Sequence, residues 1–130
     1  MKVLKKITIV IVLMISTIGF SQSKLEKFKA IPAEEMAKKK TDLMKDKLSL
    51  SEEQTKEIFR INLDAFKARK KVIENSSMFS IRNKMKAVGK EEYLKLEEVL
   101  SGIQLKKYNS KIKKELKEAM SNWMEQWNKE

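Results

Sequence analysis

The chain reads as an all-α protein. Beyond residue 21 only Pro32, Gly89 and Gly102 punctuate the backbone strongly. Ala, Leu, Met, Lys, Glu and Gln dominate that part of the chain, and these residues lose little rotamer freedom in helices. No stretch alternates apolar and polar residues over the length a strand needs.

The N-terminus has a different character. A basic start, MKVLKK, leads into ITIVIVLMISTIGF (Ile7 to Phe20), and small residues stand at Gly19 and Ser21. That is the layout of a secretory signal peptide, and the apolar run is shorter than the ~18 residues a membrane span requires. Cleavage is expected after Ser21, with the Ser23–Lys24 bond next in order, giving a signal peptide over 1–21, a flexible segment over 22–31 and a helical domain over 32–130. With no Cys near the site, a lipid anchor is excluded.

Four helices are expected in the domain. The first opens at Pro32, a residue suited to a first turn, with Glu34 and Glu35 complementing the helix dipole. Met36, Leu43, Met44 and the Lys40 stem line one side, and the helix ends near Leu48. The second runs from Ser51 to about Asn75. Ile58, Ile61, Ala65, Ala68 and Val72 form one stripe, with Phe59, Leu63, Phe66 and Ile73 forming another beside it. Together they make a face wider than one helix contact covers. Asn75 to Ser77 is the turn, with Ser77 as cap. The third helix carries Met78, Ile81, Met85 and Val88, then Tyr93, Leu96 and Leu100; the stripe slips by one residue near Gly89, predicting a bend or break. The fourth runs from Gly102 to about Asn128 on the stripe Leu105, Tyr108, Ile112, Leu116, Ala119, Trp123 and Trp127.

Removing residues 1–21 leaves 26 basic residues against 18 acidic ones, a net charge of +8. Arg60, Arg69 and Arg82 are the only arginines. Sequence-reading nucleic-acid sites favour bidentate Arg, so the charge reads as a Lys-rich surface suited to acidic partners, not nucleic acid. The chain has no Cys and no His. An exported fold must therefore hold without disulfides, and the commonest metal ligand and neutral-pH acid/base are missing. No metal and no cofactor are expected. The adjacent pairs Glu34/Glu35, Glu52/Glu53, Glu91/Glu92 and Glu97/Glu98 point to different helix faces and do not converge on one substrate atom. No nucleophile setting or phosphate-cradling loop is present, so the chain is not read as an enzyme.

One phrase occurs twice. Leu50, Ser51 and Gln54 form Leu-Ser-x-x-Gln, and Leu100, Ser101 and Gln104 repeat it fifty residues later. Ser-x-x-Gln is a capping box: the hydroxyl accepts from the backbone N–H three residues on, and the Gln side chain accepts from the Ser N–H. Leu50 and Leu100 precede the caps and are placed to fold back on the new helices. Leu105 is the matching staple partner in the second copy, where the first has Thr55. Each phrase thus marks a helix-to-helix corner of set angle.

On these residues the chain resembles the Spy/CpxP family of periplasmic proteins, whose signature is a twice-repeated Leu-Thr-x-x-Gln. Ser replaces Thr in both copies, and Gly102-Ile103 stands where relatives often have Pro followed by an acidic residue. The resemblance implies four helices forming a bent, elongated hairpin, assembled as a cradle-like antiparallel homodimer in the periplasm. It also implies an ATP-independent chaperone for unfolded or aggregation-prone proteins under envelope stress. The alternatives are a regulatory partner of an envelope-stress sensor and a protein that binds the membrane surface.

The residues add their own arguments. The wide face of the second helix lacks an obvious intrachain cover, which a second copy would supply. Met36, Met44, Met78, Met85, Met120 and Met124 are adaptable side chains of the sort promiscuous binders use. With Phe59, Phe66 and Phe79 they make the expected client or dimer surface, centred on Met36, Met44, Phe59, Phe66, Met78, Phe79 and Met85. Taken singly, such side chains are more often core.

Overall fold

A computed structural model of the chain describes residues 24–127, which are helical almost throughout. The expected signal peptide and its cleavage site lie outside the described residues. Helix α1 occupies 24–30, α2 Ala33–Leu48, α3 Glu52–Asn75, α4 Met78–Val99, α5 Gly102–Lys107 and α6 Lys113–Gln126. A single π turn, Tyr108–Ile112, joins α5 to α6.

The helix boundaries follow from local chemistry. Pro32 (φ −59°, ψ 142°) is the N-cap of α2, one position before the first-turn place expected for it. Its carbonyl accepts from Glu35 and Met36 N–H at 3.1 and 3.2 Å. Glu34 and Glu35 fall in the first turn, and Lys45 and Lys47 in the last, as the dipole favours. Ser77 is the N-cap of α4, but its side chain caps no backbone N–H.

Helix α2 is the central element. Its later residues Met44 and Leu48 share a core with Ile58 and Ile61 of α3, and its early residues Ala33 and Met36 share another with Phe66. The pairing runs in opposite directions along the two helices, so α2 and α3 are antiparallel. The same logic sets α6 antiparallel to α2: Lys47 meets Glu115 at 2.8 Å, while Met36 shares its core with Met120. Helix α4 returns along α3. The first core, around Met44, Ile58, Leu96, Tyr108 and Leu116, lies beneath the two repeated phrases. The second, around Ile31, Met36, Phe66 and Met120, is closed by Phe28, Trp123 and Trp127.

Four expectations are corrected. Residues 24–30, expected to be flexible, are helical, and Ile31 is wholly buried. Lys70 donates to the carbonyls of Phe28 and Lys29, both at 3.0 Å, capping the end of α1. Helix α4 continues unbroken through Gly89. The apparent slip came from passing over Glu92, which is buried and keeps the three-or-four spacing of Met85, Val88, Glu92 and Leu96. The expected fourth helix is divided by the π turn. Its extra residue per turn rotates α6 relative to α5 and buries Tyr108, Ile112 and Leu116 against the first core. Finally, the Phe59–Phe66 part of the wide face of α3 is covered within the chain. Phe59, Leu63 and Phe66 pack with residues of α1, α2 and α6, so no second copy is needed to cover them.

Candidate functional site

The two phrases meet. Both capping boxes form as expected: Gln54 N–H donates to Ser51 Oγ at 3.1 Å and Ser51 N–H to Gln54 Oε1 at 3.0 Å. The second copy repeats this at 3.2 and 2.9 Å. Beyond the boxes, the two side-chain amides pair with each other. Gln54 Nε2 donates to Gln104 Oε1 at 2.7 Å, and Gln104 Nε2 to Gln54 Oε1 at 3.2 Å. The remaining amide hydrogens close the preceding helices crosswise. Gln54 Nε2 reaches Val99 O, the last residue of α4, and Gln104 Nε2 reaches Leu48 O, the last of α2, both at 3.1 Å.

Each amide therefore makes two donations and two acceptances, the full capacity of the group. The phrase is written twice because its two copies are halves of one pseudo-two-fold clamp. Leu50 and Leu100 are buried in the same core directly beneath it.

From this clamp the helices diverge and leave an open groove of about 870 Å³. Its floor is Lys40 of α2 with Phe66 and Arg69 of α3. One wall is α4, the other α6, and Lys24 and Lys27 of α1 stand at the far end. The apolar lining includes Phe66, Tyr93, Tyr108, Leu116, Met120 and Met124. Around these stand eight basic side chains and only two carboxylates, Glu92 and Glu125.

Glu92 is bound into the floor. Arg69 Nη2 lies 2.8 Å from Oε1 and Lys40 Nζ 3.0 Å from Oε2. Burial alone would raise the Glu92 carboxyl, but Lys40 and Arg69 together hold it below the usual carboxylate range. Burial likewise pushes the Lys40 ammonium down, against the pull of Glu92. Both cations also stand 5.8 Å from the Phe66 ring centre. Tyr108 is pushed up to about 12, first by burial and then by the Glu92 charge. The carboxylate is thus a charge-balancing strut with no idle proton to exchange at neutral pH.

The expected surface residues separate into three groups. Met36 and Met44 are completely buried and belong to the cores, not to a binding face. Long apolar side chains on the central helix have neighbours on both sides. Phe59 is half-buried against the second core, while Phe66, only 7% exposed, is core on one side and groove floor on the other. Met78 (64% exposed) and Phe79 (96% exposed) project at the α3–α4 turn, and Met85 is half-buried on α4. Tyr108, Glu92 and the lysines of the groove lie outside the surface the sequence points to. The signal for Glu92 was a charge standing in an apolar stripe. No sequence pattern brings lysines of α4 opposite those of α6.

Among the described residues no group of three or more His, Cys, Asp or Glu side chains could hold a metal ion. No described helix is long and apolar enough to cross a membrane. Fold and site define an all-helical protein, tied by paired amides, whose basic groove has the size of a ligand site. The chain belongs to a family described as a domain of unknown function (DUF4890), whose model matches residues 21–108. The match takes in both phrases and ends at Tyr108, where the π turn begins. No curated protein matches the chain. No solved structure matches it either.

Proposed function

We propose that this protein is an ATP-independent chaperone of the cell envelope, holding unfolded or aggregation-prone proteins in the manner of the Spy/CpxP proteins it resembles. One observation carries the reading: an open, apolar-lined groove bordered by six lysines, besides the Lys40–Glu92–Arg69 ion pairs in its floor. Charge at the rim speeds the capture of acidic chains, while half-buried Met124 and Tyr93 offer apolar contact above the buried Phe66 and Met120. The proposed role is binding, not catalysis. Glu92 is neutralised by two cations, and Tyr108 stays protonated up to about pH 12. The signal-like N-terminus supports an exported protein working beyond ATP.

The test is aggregation of several unrelated unfolding proteins, with the purified protein at a few-fold molar excess and a nucleotide-removing enzyme present. Protection of most clients, with association slowed by added salt, is the expected result. Protection of none would overturn the reading. Tight binding to one folded partner alone would replace it with a regulatory role.

A further inference from the structure

We propose that the groove between α4 and α6 takes an acidic amphipathic α-helix as its ligand. The inference rests on the reading of the groove as the client site and names the class of segment it accepts.

The walls set the first condition. Floor and sides are helices whose backbone N–H and C=O groups are hydrogen-bonded within their own turns, so they offer no edge to an extended chain. An extended segment pressed into the groove would bury polar backbone without partners. A helix brings its backbone already satisfied, which is the physical basis of helix-in-groove recognition.

Dimensions agree. Along α6 the lining runs from Lys113 to Glu125, about 18 Å at the helical rise. That is about three turns of a docked helix, and the groove is open along its length. A helix lying in an open groove keeps one side in water, which suits a one-sided apolar stripe.

Charge sets the third condition. Lys86 and Lys90 stand four residues apart on α4, and Lys113 and Lys117 four apart on α6. Like charges at this spacing disfavour their own helices, and here two such pairs border the same groove. All four side chains belong to exposed residues. A helix carrying carboxylates on both flanks of an apolar stripe would answer both rows at once. Tyr93 and Met124, both half-buried, would meet the stripe above the buried floor of Phe66, Leu116 and Met120. A flat anionic membrane could reach the rim lysines, but the raised walls keep it from this floor.

The experiment uses the purified protein and labelled peptides of about fourteen residues, four turns long. One peptide has an apolar stripe flanked by Glu, one has the same composition with a central Pro, and one has Lys in place of Glu. Anionic phospholipid vesicles form a fourth arm. The acidic peptide should bind and gain helicity by circular dichroism, while the Pro peptide binds about tenfold more weakly or worse and the Lys peptide fails. The K86E/K117E variant, altered on both walls, should lose about tenfold in affinity with its melting temperature retained. Equal binding of the Pro peptide, unchanged affinity in K86E/K117E, or preference for vesicles would each overturn the proposal. Client protection without binding of the acidic peptide would sink the helix inference and leave the chaperone reading standing. Binding of that peptide without protection of any client would do the reverse.

Discussion

The two corners built on Leu-Ser-x-x-Gln share every hydrogen bond of the clamp, yet one closes a pair of helices and the other opens a groove. At the first corner two residues, Ser49 and Leu50, separate the end of α2 from the cap of α3. Ser49 is left-handed (φ 53°, ψ 53°), and its neighbour's N–H returns to Lys45 O at 3.3 Å. That turn reverses the chain, and α3 packs along α2. At the second corner a single residue, Leu100, intervenes, in extended conformation (φ −80°, ψ 144°). The chain leaves through the short α5 and the π turn to reach α2, where α6 packs, and α4 and α6 become opposite walls. Identical caps therefore do not dictate an angle. The linker residue count and one left-handed residue do so, with the clamp holding both outcomes together.

The largest expected effect comes from the clamp itself. In Q54E/Q104E each Glu still accepts within its own capping box, but the amide pair and both crosswise carbonyl caps are lost. Urea unfolding should show a loss of at least about 3–4 kcal/mol, since four hydrogen bonds go and two carboxylates are brought face to face. S51A and S101A, which remove only a cap, should each cost about 1 kcal/mol. If the double Glu variant costs no more than one Ser variant, the corners are independent and the clamp carries no energy.

The next effect belongs to the second corner alone. The folded protein keeps Tyr108 protonated up to about pH 12, whereas the unfolded chain releases that proton near its ordinary value of 10. Stability from this group is whole below pH 10 and is lost as pH rises through 10 to 12. The loss should be about 2–3 kcal/mol across that window. Y108F should flatten the pH dependence there; an unchanged slope would place the titration elsewhere.

The smallest effect belongs to the first corner. A left-handed Ser carries a backbone cost of about 1–2 kcal/mol, partly offset in Gly by greater freedom in the unfolded chain. S49G should therefore raise the unfolding free energy by up to about 1 kcal/mol. The analogous L100G change, at an extended and buried residue, should lower it. A stabilising L100G would erase the distinction drawn between the corners.

Much of the fold was legible because it is local. The start of α3 followed from Ser51 and Gln54, and the break at residues 75–77 from turn-forming residues between two stripes. Polarity misleads wherever position on the helix decides burial. Glu92 interrupts the apolar stripe by its polarity while keeping its spacing, so apolar periodicity alone places a break at Gly89 that the helix does not have. The sequence periodicity had no means of showing that Lys40 and Arg69, from two other helices, would neutralise it. The Met residues show the same limit: Met36 and Met78 are chemically alike, but one is wholly buried and the other 64% exposed.

By itself, then, the sequence determined helix content, the two capped corners and the excess of positive charge. These depend on side chains within about one helical turn of each other, or on a simple sum. Only the tertiary structure decided that Gln54 and Gln104 saturate each other, that α1 and α6 pack over Phe59, Leu63 and Phe66 of α3, and that lysines of α4 and α6 border one groove. Each of these joins residues far apart in the chain, and their meeting is set by packing of whole helices, which no local spacing encodes.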